Sequence, residues 1–408
     1  MKSKDEKIKY LEVSQLIEEI INEAIEVEAS DIHIEPESET TRIRFRIDGD
    51  LIKICDIPSE RQSEIITRIK ILSNLDIAER RLPQDGRISW NDSKDTDLRV
   101  AITPVIHGEK AVIRILNSTR YDMRLDKFGF SEENYNTLKG ILSKSSGMLI
   151  STGPTGCGKS TTLYALIREL NNEEANIITI EDPVEFKIKG INQTQVNEKA
   201  GMDFSIGLRS MLRSDPDIIM VGEIRDTKTA EIAIRAAITG HLLLSSLHTM
   251  DSYSAIIRLL DMGIEPYLIA SALAGVQSQR LVKRLCPHCS VKMEPNISQL
   301  SIIKSVIGDA ENINLKAPMG CEHCTNGFRG RQVISEVFEI DEDFIDAIKN
   351  KSDINTLRKI GEEKGIKSLV YDGLSRVIKG ELYIDDVLRH AYNLGECNGQ
   401  IQSIKKDG

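Results

Sequence analysis

The sequence predicts an α/β protein: a small N-terminal α+β domain, then a larger domain built on a mainly parallel sheet covered by helices. Three observations carry this. Residues 31–35 and 41–47 alternate polar and apolar side chains, the signature of half-buried strands. From about residue 131, short apolar runs alternate with helical sequence, the spacing of buried strands joined by crossover helices. At 408 residues the chain is also longer than one ordinary core, which leads to an expectation of about two or three domains.

Taken in order, residues 11–29 place Val13, Leu16, Ile17, Ile20, Ile21, Ala24 and Ile25 at helical spacing, giving one apolar stripe. The two alternating runs follow, and Asp48-Gly49 supplies a turn after the second. Strand-like segments recur at 97–103 and 110–116. Residues 1–120 are therefore expected to form the first domain, with 121–130 as a linker. Residues 131–285 carry the αβ alternation, with buried-strand candidates at Met148–Thr152, Ile177–Ile180, Ile218–Val221 and Leu242–Leu247. Residues 286–330 interrupt it with cysteine pairs, 331–395 read as a helical C-terminal region, and 396–408 as a polar tail.

Composition narrows the class. Hydrophobic residues make up 40% and charged residues 28%, ordinary for a globular protein. No apolar run approaches the ~18–20 residues of a membrane span, and the charged start MKSKDEKIKY lacks the apolar core of a secretory signal. A cytosolic protein is the expectation. The net charge of −10 opposes phosphate neutralisation, and aromatic residues, at 4%, offer few stacking platforms. Nucleic acid is not expected as the main partner.

Gly153-Pro154-Thr155-Gly156-Cys157-Gly158-Lys159-Ser160, with Thr161 opening a helical run, fits GxxxxGK[ST]. In that pattern glycines let successive N–H groups turn around phosphate oxygens, and the following helix N-terminus adds its dipole. Lys159 can reach the β- and γ-phosphates of a nucleotide, and Ser160 can offer its hydroxyl to Mg²⁺. An apolar strand before the loop and a helix after it make a nucleotide site of the match. Asp217–Glu223 is an apolar strand ending in a carboxylate, so Glu223 is placed to hold metal or polarise water. TIEDPVE puts three carboxylates just after another strand, and HLLLSSLHT ends a further one with His248; ligands bind beyond such strand ends. Of the seven cysteines, Cys55 and Cys397 stand alone and Cys157 sits in the glycine loop. Cys286-Pro-His-Cys289 and Cys321-Glu-His-Cys324 are two CxxC turns, which in a cytosolic chain predict a closed structural Zn²⁺ site. His288 and His323 lie between the cysteines as alternative ligands.

Together the segments GPTGCGKSTTLY, TIEDPVE, DPDIIMVGEIRD, TGHLLLSSLHT, ASDIHIEP, RFRIDGDL and AERRLPQDGR resemble the ATPases that drive type II secretion and type IV pilus assembly, the GspE/PilB group. The resemblance implies a PAS-like N-terminal domain, a RecA-like ATPase domain, and a ring, usually hexameric, with nucleotide between the two domains. By position it makes Glu223 the Walker B acid, Glu185 the water-positioning acid and His248 a γ-phosphate sensor. It also implies that Arg99, Arg114, Arg209 and Arg213 supply planar, fixed charge around the phosphates. Which acid is the general base stays open.

In this family a tetracysteine knuckle is typical of secretion and pilus-extension ATPases and generally absent from retraction ATPases. The resemblance further implies an ATP-driven motor for pilin or pseudopilin assembly in a secretion, pilus or competence system. Such a motor works at the cytoplasmic membrane face through a platform protein. Many relatives carry an extra N-terminal domain, whereas this chain begins almost directly at the first helix, so it is expected to be a short form. Cys157 stands where the family more often has serine. Its place before a helix N-terminus predicts a lowered thiol pKa and a redox-sensitive loop, beside the plainer reading of a small tolerated residue. A RecA-like nucleic-acid motor and a nucleotide-binding scaffold that does not hydrolyse are the rival functions.

Overall fold

A computed structural model describes residues 11–90, 96–117, 124–308 and 313–391. Cys397, the tail 396–408, the charged start and part of the 121–130 linker lie outside the described residues. The chain divides into two compact units, Met1–Tyr121 and Asp122–Gly408.

In the first unit, α1 (Val13–Glu26) precedes β1 (Asp31–Pro36), β2 (Thr40–Ile47) and β3 (Asp50–Pro58). Then come α2 (Gln62–Leu72), β4 (Gln84–Ser89), β5 (Thr96–Val105) and β6 (Gly108–Asn117). The strands form one antiparallel sheet in the order β3-β2-β1-β6-β5-β4. The apolar stripe of α1 buries Leu16, Ile17, Ile20 and Ile21 in one core with Ile32, Ile34, Ile43, Phe45, Leu98 and Ile113 of the sheet. Strand alternation then puts the arginines of β2 on the other face. Asp48 and Gly49 both take positive φ, 49° and 95°, as a tight hairpin turn between twisted strands requires.

The second unit starts with α3 (Glu132–Leu142), β7 (Gly147–Thr152), α4 (Lys159–Leu170), β8 (Ile177–Glu181) and β9 (Asn192–Gln195). It continues through α5 (Phe204–Met211), β10 (Ile218–Val221), α6 (Thr227–Ile238), β11 (Leu242–Leu247), α7 (Ser252–Asp261), α8 (Pro266–Ala272) and β12 (Leu273–Leu285). The cysteine region holds β13 (Val291–Lys292), α9 (Ile297–Ile307) and β14 (Lys316–Ala317). After it come β15 (Phe328–Glu339), α10 (Glu342–Lys349), α11 (Ile354–Glu363), α12 (Leu369–Val377) and α13 (Ile384–Ala391).

The main sheet runs β15-β12-β7-β11-β10-β8-β9, and every pairing is parallel except β12 with β15. Strands β7, β8, β10 and β11 are buried at every residue, which is why their sequences are mostly apolar and show no polar–apolar alternation. Residues 331–339 correct the expected helical region: they complete β15, a long antiparallel strand. RQVISEVFE is short and apolar enough to suit a buried strand or a buried helix, and pairing with β12 decides. After Glu339 the region is helical, as expected. Among the described residues no helix is long and apolar enough to cross a membrane.

Candidate active site

The order β7-β11-β10-β8 fixes the site, because four parallel strands deliver their carboxyl ends, and the loops after them, to one edge. The glycine loop leaves β7 there and enters α4 at Lys159. Gly153, Gly156 and Gly158 have φ of 147°, 80° and 90°, which only glycine adopts without strain. At Gly153 a Cβ would also stand 2.6 Å from Cys157 Sγ and 2.8 Å from the Gln279 carbonyl. Lys159 is buried, and its Nζ donates to the carbonyls of Gly153 (2.7 Å) and Pro154 (3.1 Å). Burial lowers its pKa, and Arg280 adds to the effect against the opposing pull of Glu223. Thr155, Gly156 and Ser160 are exposed and Thr161 is half-buried, so the rim of the loop is open while its ammonium is held inside. An inward cation, an open rim and a helix N-terminus suit a polyphosphate.

Cys157 departs from the redox expectation. Its thiol is only 4% exposed, and burial raises its pKa although Lys159 and Arg280 pull the other way. A protonated, enclosed thiol is a packing residue.

Gln279, buried in β12, braces the loop, and its neighbour Arg280 ties β12 to the histidine segment; neither stands out in the sequence. Gln279 Nε2 donates to the Cys157 carbonyl (2.7 Å), while its Oε1 accepts from Thr162 of α4 (2.8 Å). Arg280 donates to the carbonyls of Gln279 and Met250. The available signal was polarity inside an apolar strand, since buried polar groups need partners.

At the end of β10 the chain is pinned by three bonds. The Gly222 amide donates to Ile180 O (2.8 Å), Ser245 Oγ to Val221 O (2.7 Å) and Ser246 Oγ to Gly222 O (2.7 Å). Glu223 emerges from these braces with its side chain 18% exposed. His248 Nε2 lies 3.2 Å from one of its oxygens, and Arg225 bonds to the other. Arg225 also reaches Asp182 of the acidic segment at 3.2 Å. The structure thus brings Glu223 and His248 together at the strand edge that carries the loop of Lys159. Arg225 is an addition, two residues beyond Glu223 in the loop after β10, and its guanidinium bridges Glu223 and Asp182. Thr152, the last residue of β7, bonds to Thr249 beside His248, tying the histidine segment to the root of the glycine loop.

The three carboxylates of TIEDPVE have separate surroundings. Glu181 is buried and accepts from Tyr164, from Thr179 (2.5 Å) and from Gln193 (3.2 Å). Burial raises its pKa against those three donors. Asp182 is exposed and pairs with Arg225, and Glu185 is half-buried on the loop beyond the cis peptide of Asp182-Pro183.

The expected arginines fall in two places. Arg99 and Arg114 are cross-strand neighbours on β5 and β6 of the first unit, where Arg114 Nε donates to Asp31 at 3.0 Å. Arg209 and Arg213 are exposed at the end of α5 and just beyond it, with Arg213 donating to the Arg209 carbonyl at 3.1 Å. That stretch leads into the amino end of β10, the end opposite Glu223.

In the cysteine region, the sulfurs of Cys286, Cys289, Cys321 and Cys324 all lie within 4.8 Å of one another. Measured pairs are 3.9 Å (Cys286–Cys321), 3.7 Å (Cys289–Cys324) and 3.6 Å (Cys321–Cys324). A tetrahedral shell with Zn–S of about 2.3 Å has edges of about 3.8 Å, so the geometry fits Zn²⁺. Amides of Gly320 and Cys321 point at the sulfurs of Cys289 and Cys324, both at 3.3 Å, as outer partners of a thiolate site. His288 and His323 are exposed and lie against each other, ring centroids 4.9 Å apart and planes tilted by 46°, instead of joining the set.

Fold and site together define the class, a RecA-like P-loop ATPase with an inserted tetracysteine knuckle. The chain belongs to the family described as Type II/IV secretion system protein, whose match spans residues 6–389. It is 43% identical to the Type II secretion system ATPase E of Vibrio cholerae over 385 residues, covering 92% of this chain and 75% of that one. It is 42% identical to the Type IV pilus assembly ATPase PilB of Thermus thermophilus over 376 residues, 92% of this chain and 42% of that one.

Solved structures agree on the fold. The pilus retraction motor PilT with bound ADP aligns at 24% identity and a TM-score of 0.62, over 91% of this chain and 96% of that one. The ATPase DotB of Yersinia pseudotuberculosis aligns at 19% and 0.69, over 94% of each. An ATPase of the secretion and pilus-assembly kind, as the sequence motifs imply, fits the family and these two sequence relatives, and neither rival function is favoured by them.

Proposed function

We propose that this chain hydrolyses ATP with Mg²⁺ and uses the cycle to drive assembly of pilin or pseudopilin subunits. The observation that carries the reading is the convergence of Lys159, Glu223 and His248 on one carboxyl edge of the sheet, in a chain of this family. Gly153–Thr161 cradle the phosphates, with Lys159 toward the β- and γ-oxygens. Ser160 and Glu223 hold Mg²⁺, which when bound neutralises phosphate charge. Glu185 positions the attacking water, and His248, already bonded to Glu223, registers the γ-phosphate. Arg99 and Arg114 add cationic charge around the phosphates, since rigid planar donors of this kind suit charge that grows in the transition state. Arg209 and Arg213, which lie toward the amino end of β10, can serve that role only at the site of a neighbouring subunit of the ring.

The four cysteines hold a structural Zn²⁺ ion, supported by their sulfur spacing. The working form is a homo-oligomer, a hexameric ring, at the cytoplasmic face of the membrane. It acts there on an inner-membrane platform protein; nucleic acid is not among the expected partners.

The test is steady-state phosphate release by the full chain. Lys159→Ala should abolish turnover, and Glu223→Ala should lower it by about 100-fold or more, as expected when a charge aimed at the phosphates is lost. Near-normal rates in both variants would overturn the site. DNA-stimulated turnover that fades with salt would favour the nucleic-acid motor instead.

A further inference from the structure

Tyr164 has a role that the motif chemistry leaves out. It lies on α4, the helix that begins at Lys159, and its side chain is 1% exposed. Its hydroxyl sits at a three-way junction. It donates to the buried Glu181 carboxylate and accepts from the backbone amides of Glu185 (3.0 Å) and Phe186 (3.4 Å). A phenol has one proton to give and lone pairs to receive, so this arrangement uses its full capacity. The Tyr164 ring also meets Phe186 edge-on, with centroids 5.6 Å apart.

The surrounding bonds make the junction stiff. Glu181 is held from its other side by Thr179 and Gln193. Gln193 in turn donates to the Phe186 carbonyl (2.8 Å) and accepts from the Ile188 amide (2.7 Å). The loop after β8 is thus fastened at Glu185, Phe186 and Ile188 to a single buried network, and Tyr164 is that network's link to the phosphate helix. Neither Glu181 nor Tyr164 is exposed enough to meet a substrate, so neither is a catalytic residue. Burial and the adjacent Glu181 push the phenol's pKa upward, so it keeps its proton at any working pH.

We propose that Tyr164 is a positioning residue: its hydroxyl sets the Glu185 backbone relative to the glycine loop, holding the Glu185 carboxylate in register with the phosphate cradle. This rests on the proposed role of Glu185 toward water. It assigns Glu181, the first acid of TIEDPVE, to structure, leaving exposed Asp182 and half-buried Glu185 as the acids with solvent access. Positioning errors on the scale of an ångström are costly in catalysis even when binding is intact.

The experiment is a double-mutant cycle in the full chain, with kcat and KM from phosphate release and nucleotide affinity from a fluorescent ADP analogue. Tyr164→Phe should lower kcat by about 10- to 30-fold, with KM and ADP affinity within about twofold. Glu185→Gln should lower kcat strongly, and the double variant should be no slower than Glu185→Gln alone, because both act through one group.

If Glu185→Gln is impaired while Tyr164→Phe turns over normally, or if the two losses multiply, the positioning role is wrong and the role of Glu185 stands. If Glu185→Gln itself turns over normally, the reading of Glu185 is wrong and the proposal falls with it. Should Tyr164→Phe fail to fold, Glu181→Gln tests the same clamp. It too should lower kcat without weakening ADP binding, and normal kcat there would overturn the proposal.

Discussion

At the scale of single residues, Cys157 shows how far a motif constrains chemistry. The sequence places its sulfur before a helix N-terminus, a setting that favours thiolate; the fold encloses it, and burial outweighs the dipole and the nearby cations. The pattern GPTGCGKS could state the first influence but not the second, because burial of this side chain depends on β12 passing behind the loop. With its pKa above the usual thiol value, Cys157 carries even less thiolate at neutral pH than an ordinary exposed cysteine.

Iodoacetamide should therefore alkylate Cys157 in the folded chain at least about tenfold more slowly than an exposed thiol. Peroxide should affect the ATPase activity of the wild type and of Cys157→Ser equally. Rapid labelling at Cys157, mapped by peptide mass, would sink this reading. Arg225 makes the complementary point. Glu223 and His248 were legible because each ends an apolar run, whereas Arg225 is a charge in a loop whose partners come from two different strands.

At the scale of elements, local signals worked where a pattern was carried by one segment. The stripe of α1, the alternation of β1 and β2, and the apolar runs at β7, β10 and β11 each stood in the sequence as the fold has them. What failed was β15, since only a partner strand separates a buried strand from a buried helix of that length. Several helix starts in the second unit are set by aspartates whose side chains cap the first turn, at Asp203, Asp226, Asp251, Asp341 and Asp353.

Asp341 offers a test. It caps α10 and also pairs at 2.7 Å with Lys364, the C-cap residue just after α11. Partial burial pushes its pKa up, but the bonds from Lys364 and the Phe344 amide pull it further down, so the net shift is downward. A carboxyl whose folded pKa is depressed adds stability that is fully present above its unfolded value of about 4 and is lost as pH falls through the folded value. Asp341→Ala should lower unfolding stability by about 1 kcal/mol at neutral pH, mostly through the cap, because the ion pair is partly exposed and screened. The gap between variant and wild type in chemical denaturation should narrow toward pH 3. A gap that is constant, or grows, on acidification would exclude the linkage.

At the scale of the molecule, the sheet and the knuckle are stabilised by different means. The ATPase sheet buries wide apolar surface on both faces, with one core from Met148 to Leu357 and another around α4. Among its described residues, the knuckle's own sheet is the two-residue pairing of β13 with β14, and its fully buried anchors Ile303 and Leu315, with partly buried Met293, Ile302, Val306, Ile307 and Ile313, join the core of α12 and α13. A segment with a core this small would draw its folded geometry from the proposed Zn²⁺ ion, as small metal modules do. The four sulfurs stand at the spacing Zn²⁺ requires, so with the proposed ion bound, metal affinity and local order would be one quantity.

Purified chain should carry one zinc per polypeptide, and Cys321→Ser or Cys324→Ser should lose it. On removal with a strong chelator, amide exchange should rise steeply in residues 286–296 and 313–328. Strands β7, β10 and β11 should stay protected, because their core does not include the knuckle. The thermal transition should fall, and readdition of Zn²⁺ should restore both signals. Exchange that rises uniformly through the sheet would mean that the ion supports the whole ATPase unit and not the knuckle alone; unchanged exchange would mean that the four thiols need no metal to hold their arrangement.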